Sequence, residues 1–118
     1  MAAPGGGGMS SLSTHVLDTA HGCPADGVAL RLLNLNGAPL FSGATNADGR
    51  CPGLPALGPG RYALSFAVAD YFRGRGIALP DPPFLDVVTI DFGIADDAGH
   101  YHVPLLVSPF SYSTYRGS

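Results

Sequence analysis

Turn-forming residues divide this 118-residue chain so regularly that short extended segments are the main elements with room to form. Gly22-Cys23-Pro24, Asn36-Gly37, Asn46-Ala47-Asp48-Gly49, Leu57-Gly58-Pro59-Gly60, Pro80-Asp81-Pro82-Pro83 and Asp96-Asp97-Ala98-Gly99 follow one another at spacings of a strand or two. Glycine supplies positive φ at such points, proline fixes φ and removes a donor, and Asn-Gly is a strong hairpin signal. The runs between them, residues 12–19, 28–34, 40–45, 61–67, 85–92, 100–107 and 111–116, read as strands, with a further short piece at 51–54. The clearest is 61–67, where strict alternation puts Tyr62, Leu64 and Phe66 on one face. Residues 68–75 lose the alternation and predict a short helix stopped by Gly76. Seven or eight short strands and one short helix predict an all-β fold, a two-sheet β-sandwich over residues 11–118. The Gly-rich residues 1–10 are expected to be a flexible tail, with order beginning near Ser11.

Charge narrows the function classes. Hydrophobic residues make up 46% of the chain and charged ones 13%, so the chain must fold to hide its apolar surface. The same figures suggest that a second subunit covers part of what remains. All six basic residues are Arg, all nine acidic ones are Asp, and the net charge is −3. The absence of Lys and Glu removes two good helix formers. Without a basic run the chain offers little to a phosphate backbone, which excludes nucleic acid as its main partner. No stretch approaches the roughly 20 apolar residues that span a bilayer. The N-terminus lacks the pattern of a secretory signal, so Cys23 and Cys51 are expected as free thiols and the protein as cytoplasmic.

Four histidines, one arginine and the C-terminus are the candidates for chemistry. His100 and His102 lie two apart on a strand and share a face with Pro104 and Leu106, while Tyr101, Val103, Leu105 and Val107 fill the core. The same reasoning turns Thr14 and Val16 inward and His15 outward with Leu17. A His-x-His pair can bind zinc, but a catalytic zinc needs a third protein ligand, and no spacing selects one. Arg50 follows the Asp48-Gly49 turn, where an arginine is ordinarily a solvated charge, yet its planar fork suits an amide or anionic oxygen. No Gly-x-Ser-x-Gly elbow marks a nucleophilic serine, and nothing beside Cys23 or Cys51 marks a reactive thiol. The ending Tyr115-Arg116-Gly117-Ser118 reads on composition as a polar tail, although a strand runs straight into it.

Together these segments resemble the 5-hydroxyisourate hydrolases, or transthyretin-like proteins. Ser13-Thr14-His15-Val16-Leu17-Asp18-Thr19 with Gly22 and Pro24-Ala25 is similar to that family's opening motif, and Thr45-Asn46-Ala47-Asp48-Gly49-Arg50 to its middle one. Tyr101-His102-Val103-Pro104-Leu105-Leu106-Val107-Ser108-Pro109, continuing through Ser111 to Tyr115-Arg116-Gly117-Ser118, resembles its closing signature. The resemblance covers residues 12–118. It implies a transthyretin-like sandwich assembled as a homotetramer, with pockets at a central channel between dimers.

The resemblance further implies hydrolytic opening of the six-membered ring of 5-hydroxyisourate, giving 2-oxo-4-hydroxy-4-carboxy-5-ureidoimidazoline, without metal or organic cofactor. His15, Arg50, His102 and Ser118 are then the catalytic candidates. His102, with His15, would activate water, and Arg50 would hold the substrate oxygen. Tyr115, Arg116, Gly117 and Ser118 would join His15 and Arg50 in binding the substrate or would hold the histidines. His21 and His100 receive no role. Cys23 stands where the family often has a basic residue. Two rivals are a carrier that binds an apolar ligand in the channel and a structural sandwich module. The polar His15, Arg50, His102 and Tyr115 set disfavours the carrier. The module resembles only the middle of the chain, from Asn36 to Tyr62.

Overall fold

The computed structural model describes residues 8–95 and 99–117. Its elements run β1 (Ser11–Ser13), β2 (Val16–Asp18), β3 (Cys23–Pro24), β4 (Ala29–Asn34), β5 (Pro39–Ala44), β6 (Gly60–Ala67), α1 (Val68–Gly74), β7 (Val87–Ile94), β8 (His100–His102), β9 (Leu105–Val107) and β10 (Tyr112–Ser113). One layer is the antiparallel sheet β5-β4-β6-β7. The other has the order β10-β9-β2-β3, extended by the parallel pair β1-β8. This is the predicted two-sheet sandwich with one short helix.

Register explains the core. Leu30 lies opposite Phe66, and Phe66 opposite Val88; one pleat on, Leu32 faces Leu64 and Leu64 faces Ile90. These six side chains are all buried, as are Leu12, Val16, Tyr101, Val103, Leu105 and Val107 from the other layer. Apart from Pro104, the inward and outward sets of these strands are those that alternation predicts. Each fully buried Leu, Val or Phe contributes about 2 kcal/mol relative to exposure. Helix α1 closes one end of the sandwich with Val68, Ala69, Tyr71 and Phe72. Gly76, at φ +83°, stops it, with the Ile77 amide donating back to the Phe72 carbonyl.

Several expected strands differ in extent. Residues 12–19 and 100–107 are each split in two, at the same level of the sheet. Pro104 has no amide to give the ladder, and beside it the Thr14 hydroxyl takes the Val103 carbonyl at 2.7 Å. Pro104 itself is buried, not outward with His100 and His102. Residues 51–54 form no strand; pairing there consists of single bridges, Arg50 with His15 and Leu57 with Ser10. The last strand is only Tyr112–Ser113, and pairing resumes at Gly117. Of the expected tail, residues 1–7 lie outside the described residues. Ser10 is buried and exchanges two backbone hydrogen bonds of 2.8 Å with Leu57, so pairing begins one residue earlier than expected.

Candidate active site

Four neighbouring backbone segments bring the candidates into a row. Parallel pairing of β1 with β8 sets Ser13 opposite His102, and the amide of Leu105 donates to the carbonyl of His15. On one side, His15 is bridged to Arg50; on the other, His102 is bridged to Gly117. Across the sheet the order is therefore Arg50, the strand bearing Ser13 and His15, His102, and Gly117. His15 and His102 are both half-buried on the outward face, as alternation predicts.

Arg50 owes its place to the preceding turn. The Asn46 side-chain oxygen accepts from the amides of Asp48 (2.9 Å) and Arg50 (3.1 Å), and the Asn46 amide donates to the Arg50 carbonyl at 2.7 Å. Gly49 sits at φ +76° and packs so closely that a Cβ would collide with the Val16 carbonyl. Only glycine serves there, and the turn thereby holds Arg50 against β2. The Arg50 side chain is exposed, and among the described residues its guanidinium makes no hydrogen bond or ion pair, which leaves its donors available.

The histidines are held differently. Nε2 of His15 lies 2.8 Å from the Asp48 carbonyl oxygen. A carbonyl only accepts, so this nitrogen carries the proton and a neutral ring keeps Nδ1 as an acceptor. Nδ1 of His102 lies 2.8 Å from the Ser13 hydroxyl, which leaves Nε2 for chemistry. Burial, then the charge of Arg50, then His100 and His15, lower the His102 pKa below the ordinary histidine value. His102 thus stays neutral, and able to accept a proton, to lower pH than an exposed histidine.

The tail locks His102 in place. The Gly117 amide donates to the His102 carbonyl at 2.8 Å, and the Thr114 hydroxyl to the Pro104 carbonyl at 2.6 Å. A Cβ on Gly117 would come within 2.6 Å of the His102 ring, so glycine is required for this approach. The Arg116 guanidinium lies 4.1 Å from the ring centre of Tyr101, an inward residue, and does not join the row. Tyr115 is exposed and, with Arg116, lines a hollow along the β7 edge beside Ile90, Phe92 and Tyr101. Ser118 lies outside the described residues.

Sequence reasoning missed two members of this neighbourhood: Ser13, whose hydroxyl is hydrogen-bonded to both His100 and His102, and His100 itself. Their signal is the matched spacing of Ser11-x-Ser13 and His100-x-His102, but only the β1–β8 pairing brings the two together. It also missed the buried Asp18, which accepts hydrogen bonds from the Tyr71 hydroxyl (2.7 Å) and His21 Nδ1 (2.6 Å) and ties helix α1 to β2. Among the described residues no three His, Cys, Asp or Glu side chains group as a metal site, and no helix is long and apolar enough to cross a membrane.

Comparison with known proteins agrees with this fold. The family model described as HIUase/Transthyretin family matches residues 12–117. A 5-hydroxyisourate hydrolase of Ralstonia nicotianae is 56% identical over 93% of this chain and 100% of its own length. The structure of the Klebsiella pneumoniae 5-hydroxyisourate hydrolase superposes with a TM-score of 0.80 at 38% identity, covering 93% of this chain and all of that one. The crystal structure of (S)-allantoin synthase gives a TM-score of 0.87 at 40% identity over 96% of this chain, which spans 45% of that longer protein.

Proposed function

This chain belongs to the HIUase/Transthyretin family, and from that premise we propose that it opens the six-membered ring of 5-hydroxyisourate with the row formed by His15, Arg50, His102 and the tail. It is a hydrolase of 5-hydroxyisourate, as its relatives of about 50% identity are named. The observation that carries the reading of the site is the convergence of Arg50, His15 and His102 from three separate segments onto one outward face.

Ring opening needs a base for water, a donor for the developing oxyanion and an acid for the leaving nitrogen. His102 takes the proton of the attacking water on Nε2 and later returns it to the leaving nitrogen. His15, with Nδ1 free, accepts from the substrate or the water and shares this proton handling. Arg50 holds the carbonyl oxygen with its planar fork as negative charge grows there. Gly117 fixes the His102 backbone, Arg116 anchors the tail over Tyr101, and Tyr115 and Ser118 are assigned to substrate binding. The chemistry is carried by side chains, with no metal or organic cofactor.

In this reading residues 11–118 act as one domain and the enzyme is a homotetramer. In a single chain the histidine row is an open face, and a facing subunit would enclose it. Two of the four outer strands of the sheets, one from each layer, support association. Among the described residues β7 pairs only with β6, and β10 only with β9, leaving edges that a second copy can continue. Exposed Phe84 and Phe110, with ring centres 6.4 Å apart, add apolar surface. The unpaired thiols of Cys23 and Cys51 suit the cytoplasm.

The test is the ultraviolet decay of freshly generated 5-hydroxyisourate, made from urate by urate oxidase. The protein should accelerate it, and His102→Ala should remove at least about a hundredfold of the effect. Decay at the spontaneous rate, from a verified oligomer, would leave a binding protein on the same fold.

A further inference from the structure

Behind His102 a file of side chains runs to the surface. The β1–β8 register pairs Ser11 with His100 and Ser13 with His102, and residues two apart share a face. The Ser13 hydroxyl therefore sits between two imidazoles, 2.8 Å from Nδ1 of His102 and 2.9 Å from Nε2 of His100. Nδ1 of His100 lies 2.6 Å from the Ser11 hydroxyl. Ser13 and His102 are half-buried, whereas His100 and Ser11 are exposed.

A hydroxyl has one proton, so Ser13 donates to one imidazole and accepts from the other. Two arrangements result. In one, Nδ1–H of His102 donates to Ser13, Ser13 donates to His100, and Nε2 of His102 is a bare base. In the other, Nε2–H of His100 donates to Ser13, Ser13 donates to Nδ1 of His102, and His102 carries its proton on Nε2 as an acid. The same linkage thus converts His102 between the two forms that ring opening demands in turn.

We propose that Ser13 and His100 form a proton relay behind His102, in which Ser13 sets the His102 tautomer and His100 carries the transient positive charge. The proposal rests on His102 as the proton acceptor of the hydrolysis. As the attacking water gives its proton to Nε2 of His102, the Nδ1 proton moves to Ser13 Oγ and the Ser13 proton to Nε2 of His100. The bond from water oxygen to the ring carbonyl forms in this step. When the carbon–nitrogen bond breaks, Nε2 of His102 protonates the leaving nitrogen, and the relay runs back. Each group regains its first proton, and the net transfer is from water to nitrogen.

The advantage is electrostatic. An imidazolium at His102 would be half-buried, with Arg50, His100 and His15 all bearing on it, the combination that already lowers its pKa. At His100 the charge meets solvent and the Ser11 hydroxyl. Among the described residues, Arg116 on the tail reaches it from another segment, its guanidinium 3.5 Å from the His100 carbonyl oxygen. Ser13 and His100 are positioning residues, because each acts on the substrate only through His102.

The experiment compares the full-length protein with Ser13→Ala, Ser13→Thr and His100→Gln. It measures kcat and KM against pH in light and heavy water, and separately the nitrogen-15 NMR shifts of the His102 ring without substrate. Ser13→Ala should lower kcat about tenfold or more while KM stays within about twofold, and should move the His102 nitrogen shifts toward a different tautomer balance. Ser13→Thr, which keeps the hydroxyl, should restore most of both. His100→Gln, at an exposed position, should lower kcat severalfold and shift its acid limb, and it carries the test if Ser13→Ala does not fold. An active wild type in which these variants leave kcat, pH profile and His102 shifts unchanged would overturn the relay, even if their melting temperatures fall. A wild type that leaves 5-hydroxyisourate untouched would instead overturn the functional reading, while the NMR shifts would still report the linkage of Ser13 to His102.

Discussion

Each residue of the row is set by a contact specific to its kind. Arg50 has donors to spare and no acidic partner among the described residues, so its fork is available to a substrate oxygen. Arg50→Lys replaces two parallel donors with a point charge, and kcat/KM for 5-hydroxyisourate should fall about a hundredfold, measured by the same ultraviolet decay. Near-normal kinetics would remove the bidentate role. Arg50 also helps to hold the His102 pKa down. Arg50→Gln should therefore raise it, visible in an NMR titration of the His102 ring whatever the activity. In the wild type the depressed pKa keeps His102 neutral below the ordinary histidine range, so the acid limb of kcat/KM should lie below about pH 6.5.

At the scale of elements, two devices hold strands and helix to the site. The first is the tail, joined to β8 and to Pro104 by the Gly117 amide and the Thr114 hydroxyl. Removing residues 115–118 takes away the His102–Gly117 bridge but, among the described residues, no buried core residue. The truncated chain should keep its circular dichroism and assembly and lose nearly all turnover; full activity would end the tail's part in the site. The second is Asp18, whose buried carboxylate receives Tyr71, His21 and the amides of Ala20 and His21. Burial raises its pKa, but the hydrogen bonds from Tyr71 and His21 outweigh that and leave it lowered. Tyr71, buried and donating to a carboxylate, is pushed up to about 12. A lowered folded-state pKa gives Asp18 a stabilising contribution that is complete above the unfolded value of about 3.9 and is lost as pH falls through the folded one. Tyr71→Phe should cost about 1–3 kcal/mol at neutral pH, and the difference from wild type should shrink on acidification in urea-melt experiments. A gap independent of pH would mean that the hydroxyl acts by packing alone.

For the molecule as a whole, association decides whether the open row becomes a pocket. Light scattering should give about four times the 12.1 kDa chain mass. Phe84→Asp, at a side chain 71% exposed, should lower that mass, and specific activity should fall with it. A fully active monomer would show that a single chain suffices.

The sequence by itself determined the all-β sandwich, the inward and outward sets of its strands except at Pro104, the short helix and its stop at Gly76. These follow from local periodicity and turn chemistry, which tertiary contacts did not override. His15, Arg50, His102 and Gly117 were legible through their motifs, and strand alternation alone put both histidines outward. Only the tertiary structure decided that β1 pairs with β8, because register between strands 89 residues apart leaves no local trace. That register turned His100, which the motifs left idle, into the neighbour of Ser13 and His102. It likewise decided the breaks at Thr14 and Pro104, where a missing amide and a competing hydroxyl act on both strands at one level. Asp18, ordinary in a strand pattern, became a buried anchor only when the helix laid Tyr71 against it, since a buried carboxylate is set by the donors that surround it.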